Sequence, residues 1–138
     1  MKAKLVYCAG CYSAPTREQI AANVAIAEEH GKQVLLAGHI PVIPHRLTAH
    51  WEEDSRFNHF SYNDWLERFC LPLLKNCHAI YLFHGWSKSS GAAREFEFAV
   101  QHNIPIVYTI PELEMVFEER SGIMASIFDR SGSALEAR

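Results

Sequence analysis

Between an apolar run ending at Phe83 and a stretch with helical spacing lies Gly85-Trp86-Ser87-Lys88-Ser89-Ser90-Gly91-Ala92-Ala93-Arg94-Glu95. A strand that feeds such a serine- and glycine-rich loop into a helix start offers a ligand unpaired N–H groups and positive potential. Glu95, in the first or second turn of that helix, is the reactive side chain to explain. Cys8-Ala9-Gly10-Cys11 has the spacing of a redox or metal pair. Cys8 lies inside an apolar run, however, where a thiol behaves as a small hydrophobe, and no second pair completes a four-ligand zinc set. Packing is the better reading, and no metal is expected. The remaining cysteines, Cys70 and Cys77, fit a reducing compartment with the first two.

The elements that must position these residues alternate in type. Lys4 to Ala9 reads as a first, central strand, bounded by Gly10. After a turn through Pro15, Thr16 is a candidate N-cap with Gln19 three residues on. From there Ile20, Val24, Ala27, Gly31 and Leu35 step at helical spacing, which carries one helix to about Ala37, with Gly38 as its stop. A rival reading ends this helix at His30 and makes Gln33 to Ala37 a strand. Gly31 on the apolar stripe would let the helix lie close to a sheet. Ile40 to Pro44 is a short, proline-punctuated second strand suited to an edge, with His45 at its C-terminal end.

Thr48 to Tyr62 shows no clear period and mixes Trp51, Phe57 and Phe60 with charged residues. It is either a lid over a ligand or a surface segment whose aromatics fill the core edge. Ser61 or Asn63 then caps a helix to about Asn76, burying Trp65, Leu66, Phe69, Leu73 and Leu74, with a kink or break at Pro72. Ala79 to Phe83 is a strand buried on both faces. A helix from about Gly91 to His102 buries Ala92, Phe96, Ala99 and Val100, Ile104 to Thr109 is a fourth strand, and Pro111 to Glu119 a helix. Residues 121–138 hold the apolar patch Ile123 to Phe128 and a loosely ordered polar tail. The whole is read as one α/β domain, a doubly wound parallel sheet of four to five strands in three layers. Ligands in such sheets bind beyond the carboxyl ends of the strands near the switch point, which gathers the turn after Ala9, the segment from His45 and the turn from His84 to Ser90 around one crevice.

The 138 residues carry a formal net charge of −3. That balance gives no electrostatic footprint for a nucleic acid polymer or an anionic membrane, and no apolar run approaches spanning length. A cytoplasmic protein is the simplest expectation.

Three motifs arrive in order: Tyr7-Cys8-Ala9-Gly10-Cys11-Tyr12-Ser13, Pro44-His45, and Gly85-Trp86-x-x-Ser89-x-Gly91-Ala92-x-x-Glu95. Over roughly Lys4 to Val107 the chain resembles the nucleoside 2-deoxyribosyltransferase superfamily, which includes the deoxynucleoside monophosphate N-glycosidases. The resemblance implies a flavodoxin-like, Rossmann-like fold and a small-molecule nucleoside or nucleotide ligand. It implies no cofactor, and a homo-oligomer whose neighbouring subunit helps close the site. It casts Glu95 as a nucleophile on the anomeric carbon and Tyr7 as the residue orienting it. Ser89 and the backbone of Ser90 and Gly91 would hold the sugar 5′ oxygen or a 5′-phosphate, with Gly10, Ser13, His45, Gly85 and Trp86 completing the binding site. The chain departs from the pattern at Cys70 and His78, where these families carry aspartates. Asp64 and Glu67 fall one or two turns too early, so either the lid between His50 and Asp64 supplies the missing group or the protein is a weak or non-catalytic descendant that binds a nucleotide or nucleotide sugar without turnover. Cys11 and Ser13 stand where the monophosphate hydrolases carry Ser and Arg. Plain structural roles are also open to these residues: Glu95 as a first-turn partner of the helix dipole, Tyr7 in the core, Trp86 beneath the turn, His45 closing a strand.

Overall fold

A computed structural model describes residues 2–118. Four parallel strands, β1 (Leu5–Ala9), β2 (Ile40–Val42), β3 (Ala79–Leu82) and β4 (Ile106–Val107), form one sheet in the order β2-β1-β3-β4. β1 is central, pairing Tyr7 with Val42 on one side and with Ile80 on the other. The chain leaves β1 toward β2 and later returns to β3 on the opposite side, so the topological switch falls between β1 and β3. This is the doubly wound, flavodoxin-like α/β arrangement expected from the alternating periods.

Strand alternation divides the core in two. Val6, Cys8, Ala79, Tyr81 and Phe83 face a layer that includes Ala27, Val34, Leu113 and Phe117. These come from α1 (Arg17–Leu36) and from α6, the helix over 110–118. Tyr7, Ala9, Ile80 and Leu82 face Leu74, Ala92 and Ala99 on the other side, from α4 (Leu71–Lys75) and α5 (Ser90–Gln101). Every residue of β3 is buried, as its unbroken apolar run requires.

Local rules account for most boundaries. The Thr16 hydroxyl accepts from the Gln19 N–H and opens α1, which runs through Gly31 to Leu36 as one helix, so the strand over Gln33 to Ala37 does not form. Gly38 follows at φ +95, a conformation that favours glycine. A Cβ at Gly31 would come 2.4 Å from Ile43 Cδ1, so its absence lets α1 lie against the segment after β2.

Several expectations need correction. β2 stops at Val42, and Pro44 begins α2 (Pro44–Leu47) instead of ending the strand, because proline's fixed φ and missing N–H suit a first helical turn. β4 spans two residues, not six. Pro105 has no N–H to give, and the Tyr108 N–H is drawn away to Glu112 Oε1 at 3.0 Å, so the backbone leaves the ladder at both ends. Val100 is 54 % exposed; the buried stripe of α5 is Ala92, Glu95 and Ala99, and Val100 lies about 100° around the helix from its neighbour Ala99. The patch Ile123 to Phe128 and the tail to residue 138 lie outside the described residues.

The helix begun by Ser61 carries a reciprocal capping box with Asp64. It runs as α3 (Tyr62–Trp65), a π stretch Leu66–Cys70, and α4, with the Leu71 N–H reaching Leu66 O. Pro72 explains the widened turn. In a regular helix its ring would press on the carbonyl four residues earlier, and one π turn relieves that without breaking the helix. Ahead of it, two short 3₁₀ turns, Trp51–Glu53 and Ser55–Phe57, carry the long connection. Trp51, Phe57, Phe60 and Trp65 pack on one another with ring centroids 5.0–5.9 Å apart.

Candidate functional site

Beyond the carboxyl ends of β1 and β3 lies a cavity of about 310 Å³, at the place the switch-point rule assigns and within the size range of small-molecule sites. β1 leads into Gly10, whose missing Cβ would otherwise sit 2.1 Å from the Phe83 ring. Close packing under the cavity therefore requires this glycine. α2 presents His45, and the start of α5 presents Ser89, Gly91 and Glu95.

Glu95 is the chemical centre. It is 7 % exposed and falls in the second turn of α5, past the reach of the helix-dipole role open to a first-turn glutamate. The Tyr7 hydroxyl, wholly buried in the central strand, donates to Glu95 Oε2. Burial pushes the Glu95 carboxyl from 4.5 up to about 7, and the Tyr7 hydrogen bond acts in the opposite sense. Tyr7 in turn is raised well above 10.0, first by burial and then by the Glu95 charge, so it stays a neutral donor. Cys70, delivered by the π stretch, lines the same wall. Burial and then the Glu95 charge push its thiol up to about 11. It is therefore a neutral thiol against the glutamate, neither a nucleophile nor an acid near pH 7.

His45 is 6 % exposed. Its Nε2 lies 3.0 Å from the Cys11 carbonyl oxygen, and only a protonated Nε2 can bond there. Nδ1 is then an acceptor, and it is buried without a partner. Burial lowers the His45 pKa, opposed by the Cys11 and Gly10 carbonyls. The ring therefore stays neutral, with one acceptor unused.

The site residues expected from sequence divide into two groups. Gly10, Ser13, His45, Ser89, Gly91 and Glu95 line the cavity, and Tyr7 supports Glu95 from below. Gly85, Trp86 and Ser90 do not line it. Gly85, at φ +90, turns the chain and accepts from the Cys11 thiol. Trp86, partly buried, stacks on Phe96 at 5.2 Å at the edge of the core, and the Ser90 hydroxyl is 3.0 Å from the Tyr62 hydroxyl. Cys8 is core, its thiol raised to about 12 by burial, and all four cysteines are free. Among the described residues no cluster of three metal-ligating side chains occurs.

Sequence reasoning missed Tyr12, Glu52, Tyr62 and Trp65, all of which line the cavity. Tyr12 Oη donates to Glu52 Oε1 at 3.0 Å, so the segment from Thr48 to Tyr62 brings a carboxylate to the cavity. Asp64 is occupied by its capping box and Glu67 by Arg94. The signal for Glu52 was weak: an acidic residue in an aperiodic aromatic segment, with nothing local to say which of Glu52, Glu53 and Asp54 faces inward.

Residues 4–109 match the family described as Domain of unknown function (DUF7768). The chain belongs to that family. The matched region contains the whole sheet and every cavity-lining residue named above. No curated protein matches the chain. No described helix is long and apolar enough to cross a membrane.

Proposed function

We propose that the protein cleaves or exchanges the N-glycosidic bond of a (deoxy)nucleoside or its 5′-monophosphate, with Glu95 as nucleophile and Tyr7 orienting it. The observation that carries this reading is the buried Tyr7–Glu95 pair at the cavity wall, with Glu95 ionising near neutral pH. A carboxylate Oε attacks C1′ as the C1′–N bond breaks. The base leaves with the bonding pair and is protonated from solvent, and the sugar is held as an ester of Glu95. Water or a second base then attacks C1′ and restores the carboxylate. The resemblance of the three sequence motifs to the deoxyribosyltransferase superfamily supports the same assignment, and with it a homo-oligomer that acts on small molecules.

The test is chromatography of released base from a panel of nucleosides and monophosphates, with and without an acceptor base. The expected result is release or exchange that Glu95→Ala abolishes; no turnover of any substrate, or turnover undiminished in Glu95→Ala, overturns the reading. Sedimentation at micromolar concentration tests the assembly, and a monomer would contradict it. One observation favours a second reading, binding of a nucleotide or nucleotide sugar without turnover: Cys70 faces Glu95 as a neutral thiol, where catalysis would be helped by an acid. That reading expects ligand-induced thermal stabilisation with no product.

A further inference from the structure

Two features of the cavity bear on which ligand it accepts, and neither comes from the motifs. The first is charge. Among the described residues lining the cavity none is lysine or arginine, while Glu52 and Glu95 both line it. Arg17 and Arg46 line an adjoining hollow of about 180 Å³. They are engaged there with Glu53 at 2.5 Å and Glu28 at 3.7 Å. Tyr12 and Glu52 line both hollows, so this hydrogen-bonded pair stands between the cavity and those arginines.

The second feature is the start of α5, a place where backbone donors could hold a phosphate. A helix start leaves about four N–H groups over. Here the Ser89 N–H goes to Trp86 O at 2.9 Å and the Ala92 N–H to the Ser89 hydroxyl at 3.1 Å. Above the Ser90 and Gly91 positions stands Tyr62. Its hydroxyl lies 3.0 Å from Ser90 Oγ and would be 2.6 Å from a Cβ at Gly91. A phosphate there would have to displace Tyr62 and would still meet a carboxylate-lined wall.

We propose that Glu52 is a specificity-determining residue that makes the cavity select ligands without a phosphate group, so that the ligand is a nucleoside and not its 5′-monophosphate. The inference rests on the glycosidic reading above and narrows its substrate class. Glu52 repels a phosphate dianion and accepts a hydrogen bond from an uncharged ligand's hydroxyl or amino group. The Tyr12 hydroxyl holds Glu52 in place as a dependable donor, because burial and the Glu52 contact raise its pKa to about 12.

The test is calorimetric titration of deoxyadenosine, deoxycytidine and their 5′-monophosphates into the wild type, Glu52→Gln and Glu52→Lys, at low and high salt. Inorganic phosphate serves as a competitor. The wild type is expected to bind the nucleoside at least about tenfold more tightly than its monophosphate. The gap should narrow in Glu52→Gln and at high salt, where such repulsion is screened, and reverse in Glu52→Lys. Inorganic phosphate should not displace the nucleoside. A wild type that prefers the monophosphate, or a preference unchanged by both Glu52 substitutions, overturns the proposal while leaving Glu95 chemistry standing. Binding of none of these ligands overturns both this proposal and the glycosidic reading.

Discussion

The two walls of the cavity are built on opposite plans. The α5 wall rests on the sheet: Glu95 is buried between helix and central strand, tied to Tyr7, and the glycine below it is fixed by contact with Phe83. The wall from Thr48 to Tyr62 is a run of short turns held by exposed pairs, Tyr12 with Glu52, Arg17 with Glu53 and His50 with Glu53. One wall places a group accurately and bears an electrostatic cost for doing so, since burial opposes the charge that Glu95 needs. The other presents Glu52 to solvent at little electrostatic cost. The proposed reaction and the proposed selectivity thus fall to parts of the molecule that differ in burial.

Substitutions can break this contrast, and the largest effect is expected at Glu95. Glu95→Gln should lower base release on the order of 10³-fold or more if the carboxylate is the nucleophile, measured by chromatography under single-turnover conditions. The same variant should be more stable than the wild type at pH 8, by of the order of 3 kcal/mol, from a shift of 4.5 to about 7 at about 1.4 kcal/mol per unit. The sign follows from linkage. The folded state holds its proton longer than the unfolded chain, so wild-type stability falls as pH rises from 4.5 to about 7 and is level above that. Urea titrations across this range should show the advantage of Glu95→Gln shrinking below pH 7 and vanishing near pH 4.5; a constant advantage would mean that Glu95 is not the titrating group.

Gly10→Ala tests the rigidity of the inner wall. A new Cβ meets the Phe83 ring at 2.1 Å, and overpacking of this kind should cost about 1–3 kcal/mol by urea denaturation. Tyr7→Phe should act more gently. Its hydrogen bond lowers the Glu95 pKa, so its loss should move the acid limb of the pH–rate profile upward and reduce activity near pH 7 by about tenfold. An unmoved limb would show that Tyr7 does not touch the reactive carboxylate. The smallest effect is expected on the outer wall. Arg17→Ala removes a pair whose arginine side chain is 75 % exposed, and the melting temperature should hardly change. A large drop would show that the segment from Thr48 to Tyr62 is part of the fold's framework, and would erase the contrast between the walls.

The Ser89 cap was not read, but periodicity and turn chemistry were enough to read the order of the strands, the central place of β1, the Thr16 and Ser61 caps, and the long α1. Each depends on neighbours within a few residues, where propensity and hydrogen-bonding geometry act directly. Glu95 was singled out the same way, from a strand–loop–helix turn, whereas Tyr7 was named only by the family resemblance. What local pattern could not say was that these two residues, 88 positions apart, share a hydrogen bond. Nor could it say that Glu95 belongs to the buried stripe of α5 in the place given to Val100, or choose for Trp86 between the cavity and packing on Phe96. Those outcomes depend on how α5 is rotated against the sheet, which packing sets. Glu52 is the clearest case, since its segment has no period to show a facing side and only docking against Tyr12 and α1 turns it inward. The amino-acid sequence by itself determined the elements and the order in which they approach the crevice, because those are encoded by short-range spacing. Tertiary structure alone decided the charge of the cavity, because that depends on which of several carboxylates long-range packing turns toward it.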